Sequence, residues 1–156
     1  MSDIHHFPKY SIVYSHVRVE VDLSPLEARF REAQEYLGQR VLQDCRSKMP
    51  HGPAGNLQQR STTEDGGRRV VFPGPYARYL YMGKVMVDAE TGKGPMKIPS
   101  GPNEYVLRFR KGAKLKATDR PLKYTSSEAR AFWFEEAKRE YGDQWVEEVR
   151  RRLGGR

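Results

Sequence analysis

At 156 residues with a net charge of +8, 37% hydrophobic and 31% charged residues, the chain fits one domain, residues 1–156, and can bury roughly 70% of its unfolded surface without a metal or disulfide staple. Its one cysteine, Cys45, cannot close an intramolecular disulfide, which argues against a stapled secreted scaffold. No apolar run of about 18 residues and no charged segment leading into an apolar core is present, so neither a membrane span nor a signal peptide is expected.

Residues 1–10 are polar and read as a flexible N-terminus. Residues 11–23 alternate, with Val17, Val19 and Val21 against Arg18, Glu20 and Asp22, which predicts one half-buried strand. Ser24-Pro25-Leu26-Glu27 then has the form of a capping box with proline in the first turn. Leu26, Phe30, Ala33, Leu37, Val41, Cys45 and Met49 follow at spacings of three or four. That pattern predicts a long amphipathic helix, stopped by Pro50, with Cys45 in its core-facing stripe.

Residues 51–56 form an irregular glycine-bearing turn. Residues 57–63 and 68–72 read as two short strands joined by Glu64-Asp65-Gly66-Gly67, a hairpin signal. Tyr76 to Met82 is a short tyrosine-rich helix closed by Gly83. Tyr76 and Tyr79 share a face of that helix and Tyr81 points elsewhere, so at least one tyrosine is expected at the surface, where tyrosine beside Arg78 suits a protein interface.

Residues 84–102 carry Gly92, Gly94, Pro95, Pro99, Gly101 and Pro102 without periodicity, and 105–109 alternate as a strand. Beyond it, 111–123 reads as a basic loop, so 84–123 as a whole is expected to be a long loop or insertion. From Glu104 to Lys123 seven bases (Arg108, Arg110, Lys111, Lys114, Lys116, Arg120, Lys123) face two acids (Glu104, Asp119), a net of +5. Such a block favours an anionic surface, phosphate or an acidic protein patch. Thr125-Ser126-Ser127-Glu128 is a second capping box. The helix it opens runs through Phe132, Trp133, Ala137 and Tyr141, and Gly142-Asp143 leaves either one kinked helix or two. The fold class is α+β: an N-terminal strand and long helix, a small antiparallel sheet with the tyrosine-rich helix, and one or two C-terminal helices.

Catalytic templates fail for want of partners. His5, His6, His16 and His51 have no cysteine or carboxylate neighbours at zinc-ligand spacing. Cys45 lies inside a helix, no phosphate-loop or dinucleotide fingerprint is present, and Glu27 and Glu128 are explained as helix caps. Glu135 with Lys138 or Arg139 reads as a helical ion pair. No catalytic, cofactor-binding or metal-binding residue is assigned, and no enzyme activity is expected.

The order of these motifs is itself informative. An N-terminal strand and a long helix ending at Pro50 come first, followed by Gly55-Asn56-Leu57 and Val70-Val71-Phe72. Pro75-Tyr76-Ala77-Arg78-Tyr79-Leu80-Tyr81-Met82-Gly83 and a late Ala131-Phe132-Trp133-Phe134-Glu135-Glu136-Ala137-Lys138 complete it. This succession resembles the minor capsid and tail-completion proteins of tailed bacteriophages over most of residues 17–150. Ala54 stands where that family often has threonine, and 88–123 has no clear counterpart.

The resemblance implies a structural virion protein of the neck, made in the host bacterial cytoplasm, with no cofactor and no membrane. It implies a homo-oligomeric ring, hexameric or dodecameric, between portal or head-completion proteins and tail terminator or tail tube proteins. Tyr76, Arg78, Tyr79, Tyr81, Gly83 and Trp133 are the fold-signature or interface residues. Arg108, Arg110, Lys111, Lys114 and Lys116 are candidates to meet a partner or the genomic DNA in the channel. Two other readings compete: a basic nucleic-acid-binding module with Tyr105, Phe109 and Tyr124 in an aromatic groove, and a small basic nuclease or toxin, for which the spacing shows no converging residues.

Overall fold

The computed structural model describes residues 10–14, 17–51, 57–74, 76–124 and 126–155, and of residues 10–21 and 104 the backbone alone; the expectations for residues 1–9, for the turn through Gly55-Asn56 and for Thr125 fall outside that set. The architecture is α+β, with two long helices and small antiparallel sheets. Where one N-terminal strand was expected there are two, β1 (Tyr10–Tyr14) and β2 (Val17–Val21), paired antiparallel. Alternation alone does not distinguish one long strand from a tight hairpin.

Helix α1 (Ser24–Lys48) follows. Ser24 is its first residue rather than its cap. The Asp22 carboxylate accepts the Ser24 backbone N–H at 3.0 Å, and Glu27 lies 3.6 Å from Arg31 instead of reaching back. The expected capping box is therefore replaced by an aspartate two residues earlier. Burial is deepest from Ala33 onward, through Val41, Leu42 and Cys45, to a fully enclosed Met49 before Pro50.

Residues 57–60 were expected to be extended but form a short helix, α2 (Leu57–Arg60). The C-terminal carbonyls of α1 lack helical partners, and Gln58 supplies them, its Nε2 donating to the carbonyls of Arg46 at 2.8 Å and Met49 at 3.2 Å. The hairpin β3 (Thr62–Glu64) and β4 (Arg69–Val71) forms as its turn sequence predicts. Asp65, Gly66 and Gly67 all adopt positive φ there. Gly67 lies directly on α1: a Cβ on it would stand 2.5 Å from the Gln34 carbonyl oxygen, and one on Gly38 would stand 2.4 Å from that of Gly67. Two glycines thus set the distance between hairpin and helix.

Helix α3 (Ala77–Met82) ends at Gly83, which is left-handed at φ 62°, as expected. The region 84–123 departs most from the sequence reading. The strand expected at 105–109 is present as β7 (Glu104–Arg108), but in place of loop on either side of it stand β5 (Lys84–Asp88), β6 (Met96–Gly101) and β8 (Leu115–Pro121). These form two ribbons, β5 with β8 and β6 with β7, both antiparallel. The glycines and prolines that suggested a loop lie mostly in the connections, although Pro99 sits within exposed β6, where a missing N–H is tolerated.

Helix α4 (Trp133–Arg152) is one continuous helix through Gly142, so the interruption does not occur. It also starts later than the Ser126-Ser127-Glu128 signal predicts. Residues 129–132 serve other helices: the Arg130 N–H donates to the Lys48 carbonyl at 2.9 Å and the Phe132 N–H to the Tyr81 carbonyl at 2.8 Å. Phe132 adopts a left-handed φ of 51° and precedes the first residue of α4, Trp133.

Helices α1 and α4 pack antiparallel. Lys48 meets Glu140 at 2.6 Å, and Trp145 Nε1 donates to Asp44 at 2.7 Å. Tyr36 bonds Glu148, and Arg152 lies over the Tyr36 ring. The core joins Val41, Cys45, Met49, Leu57, Ala77, Trp133, Ala137 and Trp145. Cys45 belongs to it, and burial together with the nearby Asp44 and Glu135 carboxylates pushes its thiol up to about 12.

Candidate functional site: an aromatic wedge, an apolar recess and an uncovered ribbon

The tyrosine-rich helix α3 joins the helical body to the ribbons. Its three tyrosines are each half-buried, so the expectation that one is exposed does not hold. They diverge instead. The Tyr76 ring stacks on Phe109 with centroids 6.2 Å apart, and the Tyr79 hydroxyl donates to the Leu115 carbonyl of β8 at 3.2 Å. Tyr81 turns inward, edge-to-face with Trp133 at 4.7 Å and Phe132 at 5.3 Å.

The Tyr81 hydroxyl donates to the Glu135 carboxylate; burial, then this bond, raises its pKa. Glu135 is therefore engaged across the fold, and the helical ion pair on this stretch of α4 is made by Glu136 with Arg139 at 2.5 Å. Gly83 ends the wedge where a side chain has no room: a Cβ would lie 2.9 Å from that of Ala131. The six signature residues accordingly divide into a fixed framework (Tyr76, Tyr79, Tyr81, Gly83, Trp133) and one exposed cation, Arg78.

Arg78, Tyr81 and Trp133 meet at a recess of about 500 Å³, walled also by Val41, Val70 and Phe72, with Arg68 at its edge. Trp133 is fully enclosed behind it, held by Phe72 at 5.5 Å and by Tyr81. The lining is chiefly apolar. Such a lining suits apolar side chains.

The basic candidates separate differently. Arg110 is not available to a partner: its guanidinium bonds both Asp88 and Glu90. Asp88 is only 3% exposed. The guanidinium, with the Glu90 N–H donating to Asp88 at 2.9 Å, holds the Asp88 carboxyl down at about 2. That clamp ties the turn after β5, where the Gly92 N–H donates to the Asp88 carbonyl at 2.8 Å, to the segment before β8. Arg108, Lys111, Lys114 and Lys116 are exposed and make no ion pair among the described residues.

The β6–β7 ribbon contributes residues that the sequence reading passed over. Opposed residues share a face in an antiparallel pair, and the register places Met96 opposite Arg108 and Ile98 opposite Val106. One face is therefore Met96, Ile98, Val106 and Arg108; the other carries Lys97 and Pro99 with Leu107 and Tyr105. Strand β6 is exposed along its whole length, with Met96 at 56% and Ile98 at 41%. The alternation of Met96 and Ile98 around Lys97 was a strand signal, hidden by the surrounding glycines and prolines. No protein-family model matches the chain, and neither the curated proteins nor the solved structures yield a similar one.

Proposed function

We propose that this chain is a structural protein of the neck of a tailed bacteriophage, a minor capsid or tail-completion subunit. In this role it repeats one contact into a ring between the portal or head-completion proteins and the tail terminator or tail tube. The observation that carries the reading is the uncovered β6–β7 ribbon, whose strand β6 is exposed throughout while displaying Met96 and Ile98. Two strands alone are marginal in water, and an apolar face with unpaired edges is what another protein surface covers. The order of motifs along the sequence supplies the phage association.

Antibody against the chain, imaged on intact and disrupted virions, is expected to label the neck; label confined to the capsid shell or tail tip contradicts the proposal. Replacing residues 95–108 by a short glycine linker is expected to leave heads and tails unjoined. Normal tail attachment in that variant removes the ribbon from the function.

A nucleic-acid-binding role is the second reading, favoured by the exposed Lys111, Lys114 and Lys116. It requires binding of the isolated chain to DNA with log affinity falling by about 0.9 per phosphate contact for each unit of log salt, and loss of that binding when the three lysines become glutamate. The structural role instead expects those changes to affect DNA retention or ejection in assembled particles. Unaltered ejection disconnects the basic strip from the channel.

A further inference from the structure

We infer that the apolar recess between α1, β4, α3 and α4 receives the β6–β7 ribbon of a second copy of this chain, joining copies head to tail. The inference rests on the ring reading and names its contact.

The recess and the ribbon are two unmet halves of one surface. The recess is chiefly apolar, about 500 Å³, and among the described residues none from its own chain's ribbon lines it. That volume falls within the range of about 300–1,000 Å³ typical of occupied sites. Its back wall is braced by the edge-to-face rings of Phe72, Trp133 and Tyr81, so it does not fill by local collapse. The ribbon offers the matching convex element, with Met96, Ile98 and Val106 on one face.

Polar groups match as well. A two-stranded ribbon leaves one edge of each strand unpaired, and Pro99 removes a donor from β6, so its edge is richer in acceptors. Arg78, exposed at the recess, carries donors suited to those carbonyls. Arg108 closes the apolar face of the ribbon, and the exposed carboxylate of Glu135, held by Tyr81 of the recess wall, has the opposite sign. Because protrusion and socket occupy different parts of one surface, the contact is heterologous, and its repetition gives a closed ring or an open helix.

Disulfide trapping tests it. Chains carrying Ile98→Cys are mixed at high concentration with chains carrying Arg78→Cys and oxidised, with Ile98→Cys plus Glu147→Cys as the control pair. Inter-chain linkage at least about tenfold faster than in the control is expected, since burying even part of two apolar side chains raises association by roughly that factor. A chain carrying both Ile98→Cys and Arg78→Cys is expected to give a ladder of multimers ending at one closed species. Linkage no faster than the control overturns the inference, as does a disulfide within a single chain, which would place the ribbon in its own recess.

As a second measurement, Ile98→Asp is expected to leave the melting transition in place and lower self-association at least about tenfold in sedimentation; unchanged sedimentation refutes the contact. A ring imaged at the neck without this cross-link rejects the contact and leaves the ring reading standing. The cross-link without neck labelling does the reverse.

Discussion

Trp133 and Met96 are both large apolar side chains in regular secondary structure, yet the first is fully enclosed and the second 56% exposed. Trp133 sits where α4, α3 and β4 converge, with ring contacts on two sides, whereas Met96 sits in a strand paired, among the described residues, with β7 alone. Both lie in hydrogen-bonded secondary structure, although β6 keeps one edge unpaired among the described residues. The difference is burial, and it separates a body that is self-sufficient from a ribbon that is not.

The hardest way to break that distinction is at the body's centre. Trp133→Ala is expected to cost about 3–5 kcal/mol, because the surrounding rings cannot close over the volume lost; a chemical-denaturation midpoint near that of the unsubstituted chain would mean the recess wall is not braced as described. Gly67→Ala comes next, at about 1–3 kcal/mol. It combines positive φ with a Cβ 2.5 Å from the Gln34 carbonyl, and a loss below about 0.5 kcal/mol would show that the hairpin can lift from α1 freely.

Asp88 tests the clamp that ties the two ribbons together. The Arg110 guanidinium holds the Asp88 carboxyl down at about 2 in the folded chain, below the ordinary aspartate range, so the stabilisation is present above about pH 4 and is lost as pH falls toward 2. Asp88→Asn is expected to flatten the pH dependence of stability in that window; an unchanged profile would reject the Arg110 clamp as its source. The smallest effect belongs to the ribbon face. Met96→Ser is expected to change the melting free energy by no more than about 0.5 kcal/mol, and a much larger loss would mean that the ribbon face is already buried within its own chain.

Much of the body was legible in the sequence. Spacing of three and four located α1 and its Cys45 stripe, Asp65-Gly66-Gly67 located the β3–β4 turn, and Gly83 marked the end of α3. These signals are local, arising from backbone sterics and one-sided burial. The errors occurred where a segment was engaged elsewhere. Leu57–Arg60 became helical while Gln58 caps α1, and Ser126 to Phe132 stayed outside α4 while serving the ends of α1 and α3. In residues 84–123 strand β5 finds its partner β8 only across 84–121, while the local β6–β7 pairing was masked by the glycines and prolines in and around β6.

The candidate site divides along the same line. Tyr76, Arg78, Tyr79, Tyr81, Gly83 and Trp133 stood out from residue type and order, as did the basic strip. That Arg110 is consumed by Asp88 and Glu90, and that Met96 and Ile98 share an uncovered face, depends on which strands pair and in what register.

Periodicity, φ restrictions and composition were enough to place the long helix α1, the apolar stripes of both helical regions, the glycine turns and the excess positive charge. Which segments cap which helix ends, which cations are neutralised and which apolar residues stay uncovered were settled by tertiary packing. Those outcomes depend on residues tens of positions apart being brought within hydrogen-bonding or van der Waals reach, and no local pattern encodes such distances.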